Sequence, residues 1–244
     1  MQLKGNHPQS LFFFFSTTAM VLLLLSCNRT YDPVPPYTET IFPTSGVNNR
    51  VYYVIDTVYS SSTAIYDVNR YYRWEKPNGT EVDLTDRVVE RLEIYTAKDS
   101  LDSLGVPYLD YIFSELWTQY KSDNYAERTE GNVRYLPLRF PVSTGLTWNG
   151  NLYNNQPALT YTYTNIDTTV TLNGVTYPNC VFVVQIPYRA SGSPAGFYIV
   201  EEAWELFAPN VGKIARYKKR FLQNSPSNID PTSRVFYETL LSHD

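Results

Sequence analysis

Short runs rich in tyrosine, threonine and valine, separated by turn residues, recur along the chain from residue 51 onward. The chain contains 22 tyrosines but only 11 glycines, and tyrosine, threonine and valine favour pleated, half-buried strands. Many short strands joined by regular turns are typical of antiparallel sandwiches and barrels. The sequence therefore predicts a mainly β protein, either an antiparallel β-sandwich or an open or half barrel.

The run "VTLNGVTY" predicts a β-hairpin at the level of single residues. Asn173-Gly174 separates two alternating segments, and this dipeptide strongly favours the type I′ turn. The turn would place Thr171 opposite Thr176. The segment that follows, Val181–Ile186, is apolar on both faces, which is typical of a central strand covered on both sides.

A second hairpin is predicted within "EEAWELFAPNVGKIARYKKR". We expect Ala208–Lys213 to form the loop, which places Glu205 opposite Arg216. The same register places Glu201 opposite Arg220, so that opposite charges pair along one face. This charged face is expected outside and an apolar face inside. The apolar residues are Val200, Trp204, Leu206, Ala215, Tyr217 and Phe221.

Residues 109–120 fit two kinds of structure. Apolar side chains at 109, 112, 113, 116, 117 and 120 follow a helical spacing. The same segment is rich in aromatic residues, which favour strands. A strand is expected here, with one short helix near 109–120 as the alternative.

The N-terminal 26 residues have the pattern of a secretory leader. A weakly basic start precedes an apolar run from Leu11 to Leu25, and this run is shorter than the roughly 20 residues that span a bilayer. The run ends in "LLSC", which resembles the lipobox of bacterial lipoproteins. That resemblance implies cleavage before Cys27 and acylation of Cys27, with an ordinary leader cleaved elsewhere as the alternative.

The segment after Cys27 is rich in proline and poor in charge, and we expect it to act as a tether. The predicted organisation is a signal peptide (1–26), a lipidated cysteine with its tether (27–48) and a single β-rich domain (49–244). A lipid anchor at Cys27 predicts the bacterial outer membrane as the location. No acidic run follows Cys27, which favours the periplasmic side over the cell surface.

Three stretches resemble an uncharacterised family of β-rich bacterial envelope lipoproteins. They are "LRFPVSTGLTWNGNLYN", "LNGVTYPNCVFVV" and "WELFAPNVGKIARYK", and together they cover the C-terminal half of the mature chain. The resemblance implies an envelope location and a β-rich fold. It implies no particular activity.

Composition and residue types argue against several functions. The formal net charge is −4, and removing the leader takes away one lysine and leaves −5, which argues against nucleic-acid binding. His7 lies in the leader and His243 lies beside the C-terminus, so neither is expected to act as a catalytic base or a metal ligand. Cys180 is expected to be a buried thiol rather than a nucleophile. No cofactor is expected.

Carboxylates provide the remaining catalytic alternative. A hydrolase could use two of Glu201, Glu202 and Glu205. The predicted hairpin instead places basic partners opposite Glu201 and Glu205 on a solvated face. The stretch "RYKKR" (216–220) is then the other half of this charge ladder rather than a lipid head-group site. The sequence therefore predicts a non-enzymatic protein.

Aromatic residues form the candidate ligand or interface site, since they can stack on sugars or line an apolar pocket as well as fill a β core. The first hypothesis is an envelope lipoprotein that is structural or binds a partner protein. The alternative is a binder or carrier of an apolar or glycan ligand in a concave β surface. The candidate residues are Trp117, Trp148, Trp204, Tyr161 and Tyr163.

Acylation of Cys27 makes a direct prediction for the mass of the protein extracted from membranes. The wild type is expected to have the mass of residues 27–244 plus acyl chains, because cleavage before Cys27 and acylation occur together. Cys27→Ala is expected to lose the acyl mass. Intact-mass spectrometry of both proteins checks this, and an unacylated wild type cut at another position would contradict it.

Overall fold

The computed structural model describes residues 40–44, 49–60, 66–101, 107–192, 198–225 and 228–244, all of which belong to one unit of the chain, Val34–Asp244. Regular structure in these ranges is entirely β, and they hold no helix long and apolar enough to cross a bilayer. The strands are β1 (Arg50–Tyr59), β2 (Tyr66–Val82), β3 (Val88–Lys98), β4 (Ser100–Leu101), β5 (Pro107–Tyr108), β6 (Ile112–Lys121), β7 (Tyr125–Glu130), β8 (Val133–Arg139), β9 (Thr147–Asn149), β10 (Thr160–Leu172), β11 (Val175–Gly192), β12 (Tyr198–Ala208), β13 (Gly212–Ser225), β14 (Asn228–Ile229) and β15 (Arg234–His243).

One antiparallel sheet contains nearly all of these strands. Its order is β8-β7-β6-β3-β2-β1-β15-β13-β12-β11-β10-β9, and β14 pairs with β13. Strands β1 and β15 lie side by side near the middle of the order, so the two ends of the domain's sequence pair with each other. The mainly β, antiparallel prediction is confirmed, and the architecture is the barrel-like alternative rather than a sandwich.

The sheet curls until its two edge strands nearly meet. The Leu136 amide of β8 donates a hydrogen bond to the Gly150 carbonyl (2.9 Å), and the Trp148 indole donates to the Leu136 carbonyl (2.7 Å). The Tyr163 hydroxyl of β10 donates to the Arg139 carbonyl of β8 (2.7 Å). These bonds satisfy backbone groups that an open edge would leave unpaired, and they enclose an interior.

Residues 40–44 pack against this interior, although the sequence placed them in the tether of residues 27–48. Ile41 and Phe42 are fully buried in the core cluster that also contains the side chains of β7 to β12. The Gln119 side chain donates a hydrogen bond to the Pro43 carbonyl (3.1 Å). This part of the predicted tether therefore belongs to the core of the domain.

Both predicted hairpins are present with the predicted cross-strand pairs. The loop of the second is shorter than the predicted Ala208–Lys213, because Ala208 pairs with Gly212 and Phe207 with Lys213 across a register shift. Thr171 pairs with Thr176, and the backbone at Asn173 and Gly174 has the two positive φ angles, 50° and 81°, that a type I′ turn requires. In the β12–β13 hairpin, Glu205 and Glu201 lie opposite Arg216 and Arg220, as predicted.

The segment near 109–120 is a strand, and the alternative of a short helix there was wrong. Strand β6 pairs with β3 on one side and β7 on the other. Apolar residues lie on both faces of β6. A register shift between Phe113 and Glu115 places Trp117 inside while Phe113 packs against Tyr95 outside. The preference of aromatic residues for strands, together with pairing of β6 to a strand on each side, outweighs the helical spacing.

The close packing at Gly150, where the two edge strands meet, leads to a prediction for the stability of the fold. A Cβ atom at Gly150 would overlap the ring of Tyr161, which is buried and has no room to move. Gly150→Ala is therefore expected to lower the free energy of unfolding by about 1–3 kcal/mol. Urea denaturation measures this. In a Tyr161→Ala background the same substitution should cost much less, and an equal cost in both backgrounds would contradict the proposed overlap.

Candidate functional site

Five charged side chains from four strands meet inside the sheet, and they are here called the buried charge cluster. The members are Arg50, Arg73, Glu75, Lys213 and Glu238, and all are almost completely buried. The Lys213 ammonium lies 2.8 Å from Glu238 and 3.7 Å from Glu75. Arg50 lies 3.2 Å from Glu75, and Arg73 forms ion pairs with both glutamates.

Electrostatic attraction inside the cluster keeps its glutamates ionised. Burial by itself would raise the pKa of Glu75, but the ammonium of Lys213 and the guanidinium of Arg50 lower that pKa well below its usual range. Arg73 and Lys213 likewise lower the pKa of Glu238 against the effect of burial. Since desolvation offsets much of the gain from such pairs, the cluster is poorly explained as a device for stability alone.

Trp117 lies against this cluster. Its side chain is only 4% exposed, and the ring centroid lies 4.9 Å from the Arg73 guanidinium and 5.9 Å from the Lys213 ammonium. Cations are attracted to the face of an indole ring. Among the described residues, the indole nitrogen of Trp117 has no hydrogen-bond partner.

A second ionic contact crosses the interior between β7 and β13. Arg216 lies 3.0 Å from Glu130 and 3.2 Å from Glu205. Glu205 is only 4% exposed, so the expectation that it lies on a solvated outer face was wrong. Alternation along a strand defines two faces, but the closure of the sheet decides which one is inside, and here it is the charged face.

A cavity with two adjoining lobes opens beside these contacts. The larger lobe has a volume of about 910 Å³ and the smaller about 520 Å³. Ligand sites usually measure about 300–1,000 Å³, so either lobe has the size of a small-molecule site. The two lobes share the side chains of Tyr71, Arg73, Glu115 and Trp117.

The smaller lobe is rich in positive charge and is here called the cationic lobe. Its lining includes only two acidic side chains, Glu115 and Glu130, and the aromatic rings of Tyr71, Trp117, Tyr135 and Phe236. The excess of cations contrasts with the net negative charge of the whole chain. The five basic side chains are Arg73, Arg216, Lys218, Arg220 and Arg234.

The aromatic residues that the sequence predicted to form one site lie in different parts of the structure. Trp117 lines both lobes of the cavity. Trp148 and Tyr163 pack together in the core with ring centroids 4.6 Å apart, and Tyr161 is buried over Gly150.

Trp204 lies elsewhere, on the other face of β12. Its ring packs between Phe182 (5.1 Å) and Tyr217 (5.6 Å) and borders a separate groove of about 370 Å³. The predicted lipid-attachment residue, Cys27, lies outside the described residues.

The candidate nucleophile, Cys180, is buried, and the candidate carboxylate Glu201 forms ion pairs. Cys180 is fully buried, as predicted, and burial raises the pKa of its thiol to about 11. Glu201 lies 3.5 Å from Arg220 and also pairs with Arg189. In the part of the chain that the structure describes, no group of three or more His, Cys, Asp and Glu side chains is arranged to hold a metal ion.

Sequence reasoning missed Lys218, Arg234 and Arg73 as lining residues. The signal for Lys218 lay in "RYKKR", where residues 216, 218 and 220 share one face of a strand. Arg73 and Arg234 come from β2 and β15, and local spacing carries no information that these strands flank the same cavity.

Comparison with known proteins gives a structural likeness. The fold is similar to the crystal structure of a "putative exported protein with YmcC-like fold" from Bacteroides fragilis, with a TM-score of 0.45 and 12% sequence identity over 84% of this chain and 99% of that chain. No family model matches the sequence, and no curated protein matches it. Membership of the envelope lipoprotein family therefore stays a prediction.

The carboxylate of Glu130 makes a prediction for the effect of pH on stability. Burial alone would raise the pKa of Glu130, but Arg216 and Lys213 lower it to about 2. The pKa in the unfolded chain is about 4.3, so the ionised group stabilises the fold above that pH and the contribution is lost as the pH falls towards 2. This contribution is on the order of 3 kcal/mol.

Glu130→Gln should therefore lower the free energy of unfolding at pH 7 and flatten its decline between about pH 5 and pH 2. Urea denaturation across this pH range measures both effects. Glu81→Gln is the matched control, because the Glu81 side chain is 42% exposed and, among the residues that the structure describes, forms an ion pair with Arg91 alone. Superimposable pH curves for wild type and Glu130→Gln would contradict the prediction.

Proposed function

We propose that this protein is a lipid-anchored envelope protein that binds a small ligand inside its curled sheet. The observation that carries the proposal is the two-lobed cavity, with volumes of about 910 and 520 Å³. Protein interiors are normally packed as densely as organic crystals. A concave space of this size that is open to solvent offers room for an occupant that a densely packed interior would not.

The lining favours a ligand that has both apolar and polar parts. Tyr71, Trp117 and Phe236 offer ring surface, while charged side chains stand beside them. A purely apolar ligand would displace solvent from those charges without offering a polar partner in its place, which is costly. Of the two functions that the sequence allows, the binder of a ligand in a concave β surface is therefore preferred to a structural or partner-binding role.

We propose that the protein binds its ligand without catalysing a reaction. The carboxylate of Glu130 is held ionised by Arg216, so it is unsuited to donate a proton at neutral pH. Glu201 and Glu205 are likewise engaged with arginines. These contacts support a site that holds its ligand by charge and ring contacts.

The proposed location follows from the leader and from Cys27. Three acyl chains, as the lipobox resemblance implies, would hold the protein at the membrane much more firmly than one. The outer membrane, on its periplasmic side, is the proposed site. There a tethered binder would meet amphipathic molecules and glycans of the envelope.

Blocking the larger lobe tests the proposal. Ser114 lines this lobe and is exposed to it, so the ring of Ser114→Trp should occupy space that a ligand needs. The uncharged aromatic probe N-phenyl-1-naphthylamine is expected to bind the wild type and to bind this variant at least about tenfold more weakly. Equilibrium dialysis of the membrane-extracted full chain, with the same detergent on both sides, measures the affinity.

Leu116→Trp is the matched control. Leu116 lies two residues along the same strand and lines neither lobe. This variant should bind the probe as the wild type does. Equal binding by wild type and both variants, or no binding by any of them, would overturn the proposal of a ligand in this cavity.

A further inference from the structure

Three basic residues of β13 point into the same cavity. Arg216, Lys218 and Arg220 alternate along the strand, so they lie on one face of the sheet. Arg234 of the neighbouring strand β15 joins them in the lining of the cationic lobe. The result is a group of four positive charges on two adjacent strands.

Three of these cations have carboxylate partners and one does not. Arg216 pairs with Glu130, and Arg220 with Glu201. Arg234 makes two hydrogen bonds to Asp56, at 2.6 and 2.7 Å. Lys218 has no carboxylate within 4 Å among the described residues and is exposed within the lobe.

The arrangement also contains a local conflict. Arg220 and Arg234 are directly opposite each other in the antiparallel β13–β15 pair, and like charges at such positions destabilise a sheet. Folds tend to keep conflicts of this kind at functional sites. Glu201 and Asp56 already offset part of this repulsion, and a further negatively charged group near both strands would reduce it more.

Apolar surface lies beside the unpaired ammonium. Phe236 is the direct cross-strand neighbour of Lys218. The rings of Tyr71 and Trp117 line the same lobe. A ligand with one anionic end and one apolar end would match both features at once.

We infer that Lys218, flanked by Arg220 and Arg234, binds the oxyanion group of an amphipathic ligand, a carboxylate or a phosphate, whose apolar part lies against Phe236, Tyr71 and Trp117. The inference rests on the proposed function, because it assigns the chemical class of the ligand in the same cavity. It also goes further, since it names the residue that selects a charged ligand over a neutral one.

The protonation behaviour of Lys218 agrees with this role. The surrounding protein and the nearby guanidinium groups of Arg216 and Arg234 lower the pKa of the Lys218 ammonium. A bound oxyanion opposes both effects, because it restores an opposite charge beside the ammonium. Binding of an oxyanion therefore favours the protonated form of Lys218, and the protonated form in turn favours binding.

Two probes with the same ring system test the inference. N-phenyl-1-naphthylamine is neutral, and 1-anilinonaphthalene-8-sulfonate carries an added sulfonate. Wild-type full chain should bind the sulfonate about tenfold more tightly than the neutral probe, and only the sulfonate should weaken as salt is added. Lys218→Met should lose this preference and leave the neutral probe unaffected.

Lys219→Met is the matched control. Lys219 is the next residue of β13, lies on the opposite face and lines neither lobe. This variant removes the same charge from the chain, so a general electrostatic effect would appear in it equally. Urea denaturation of each variant checks that the fold is retained, and the salt dependence of the wild type tests the inference without any variant.

Displacement of the bound sulfonate probe distinguishes the two sources of oxyanion. Octanoate and octyl phosphate are compared with octanol, which has the same chain without a charge. Displacement by either anion at concentrations where octanol has no effect supports the inference, and the stronger competitor identifies carboxylate or phosphate as the preferred group.

Equal affinity for both probes, with Lys218→Met unchanged, would overturn the inference while the proposed binding function stands. Equal losses in Lys218→Met and Lys219→Met would also overturn it, since the effect would then be one of overall charge. Binding of neither probe would overturn the inference together with the proposed function.

Discussion

Ion pairs that cross the inside of the sheet are the contacts on which the rest of the structure depends. Glu75 and Glu238 lie in strands separated by β1, and Lys213 joins them from β13. Arg216 reaches Glu130 from the opposite wall. Removing one member of such a pair leaves a charge buried without a partner, which typically costs about 3–5 kcal/mol. A shift of any of these strands by one residue would turn the charged side chain to the other face. The ion pairs therefore disfavour a change in the register of these strands.

Charged side chains also line the part of the interior that remains open. An apolar interior would contract to the density of a normal core, as it does around Trp148 and Tyr163 near the seam of the sheet. Charged groups resist that contraction, because each needs a partner or water within reach. The protein thus has a packed half, closed by residues 40–44 and the edge strands, and a charged half that contains the cavity. One curled sheet provides rigidity and a binding volume without any helix in the described ranges.

Local patterns were sufficient to predict the strands and the two hairpins. Asn173-Gly174 and the charge ladder of Glu205 with Arg216 specify register within about 20 residues, and the structure confirms both. The inside of the sheet could not be predicted in this way. Which face becomes the inside depends on pairings between distant segments, such as that of Arg50 with His243, and no local period reports them. For this reason the sequence placed Glu205 outside.

The closure of the sheet also explains how a chain with net negative charge can contain a cavity lined by positive charge. The chain carries net negative charge, so at the ionic strength of a cell its exterior repels an anion only within about 8 Å. Inside the sheet the walls are protein rather than water, and they focus the field of the side chains that line them. Lys218 is the cation there that no described carboxylate neutralises. Five basic and two acidic side chains line the cationic lobe, so the charges around it have a positive excess to which Lys218 contributes. An anion that approaches from solvent therefore meets an exterior with net negative charge but a lobe whose lining has an excess of basic side chains, and this contrast is the electrostatic basis of the proposed oxyanion site.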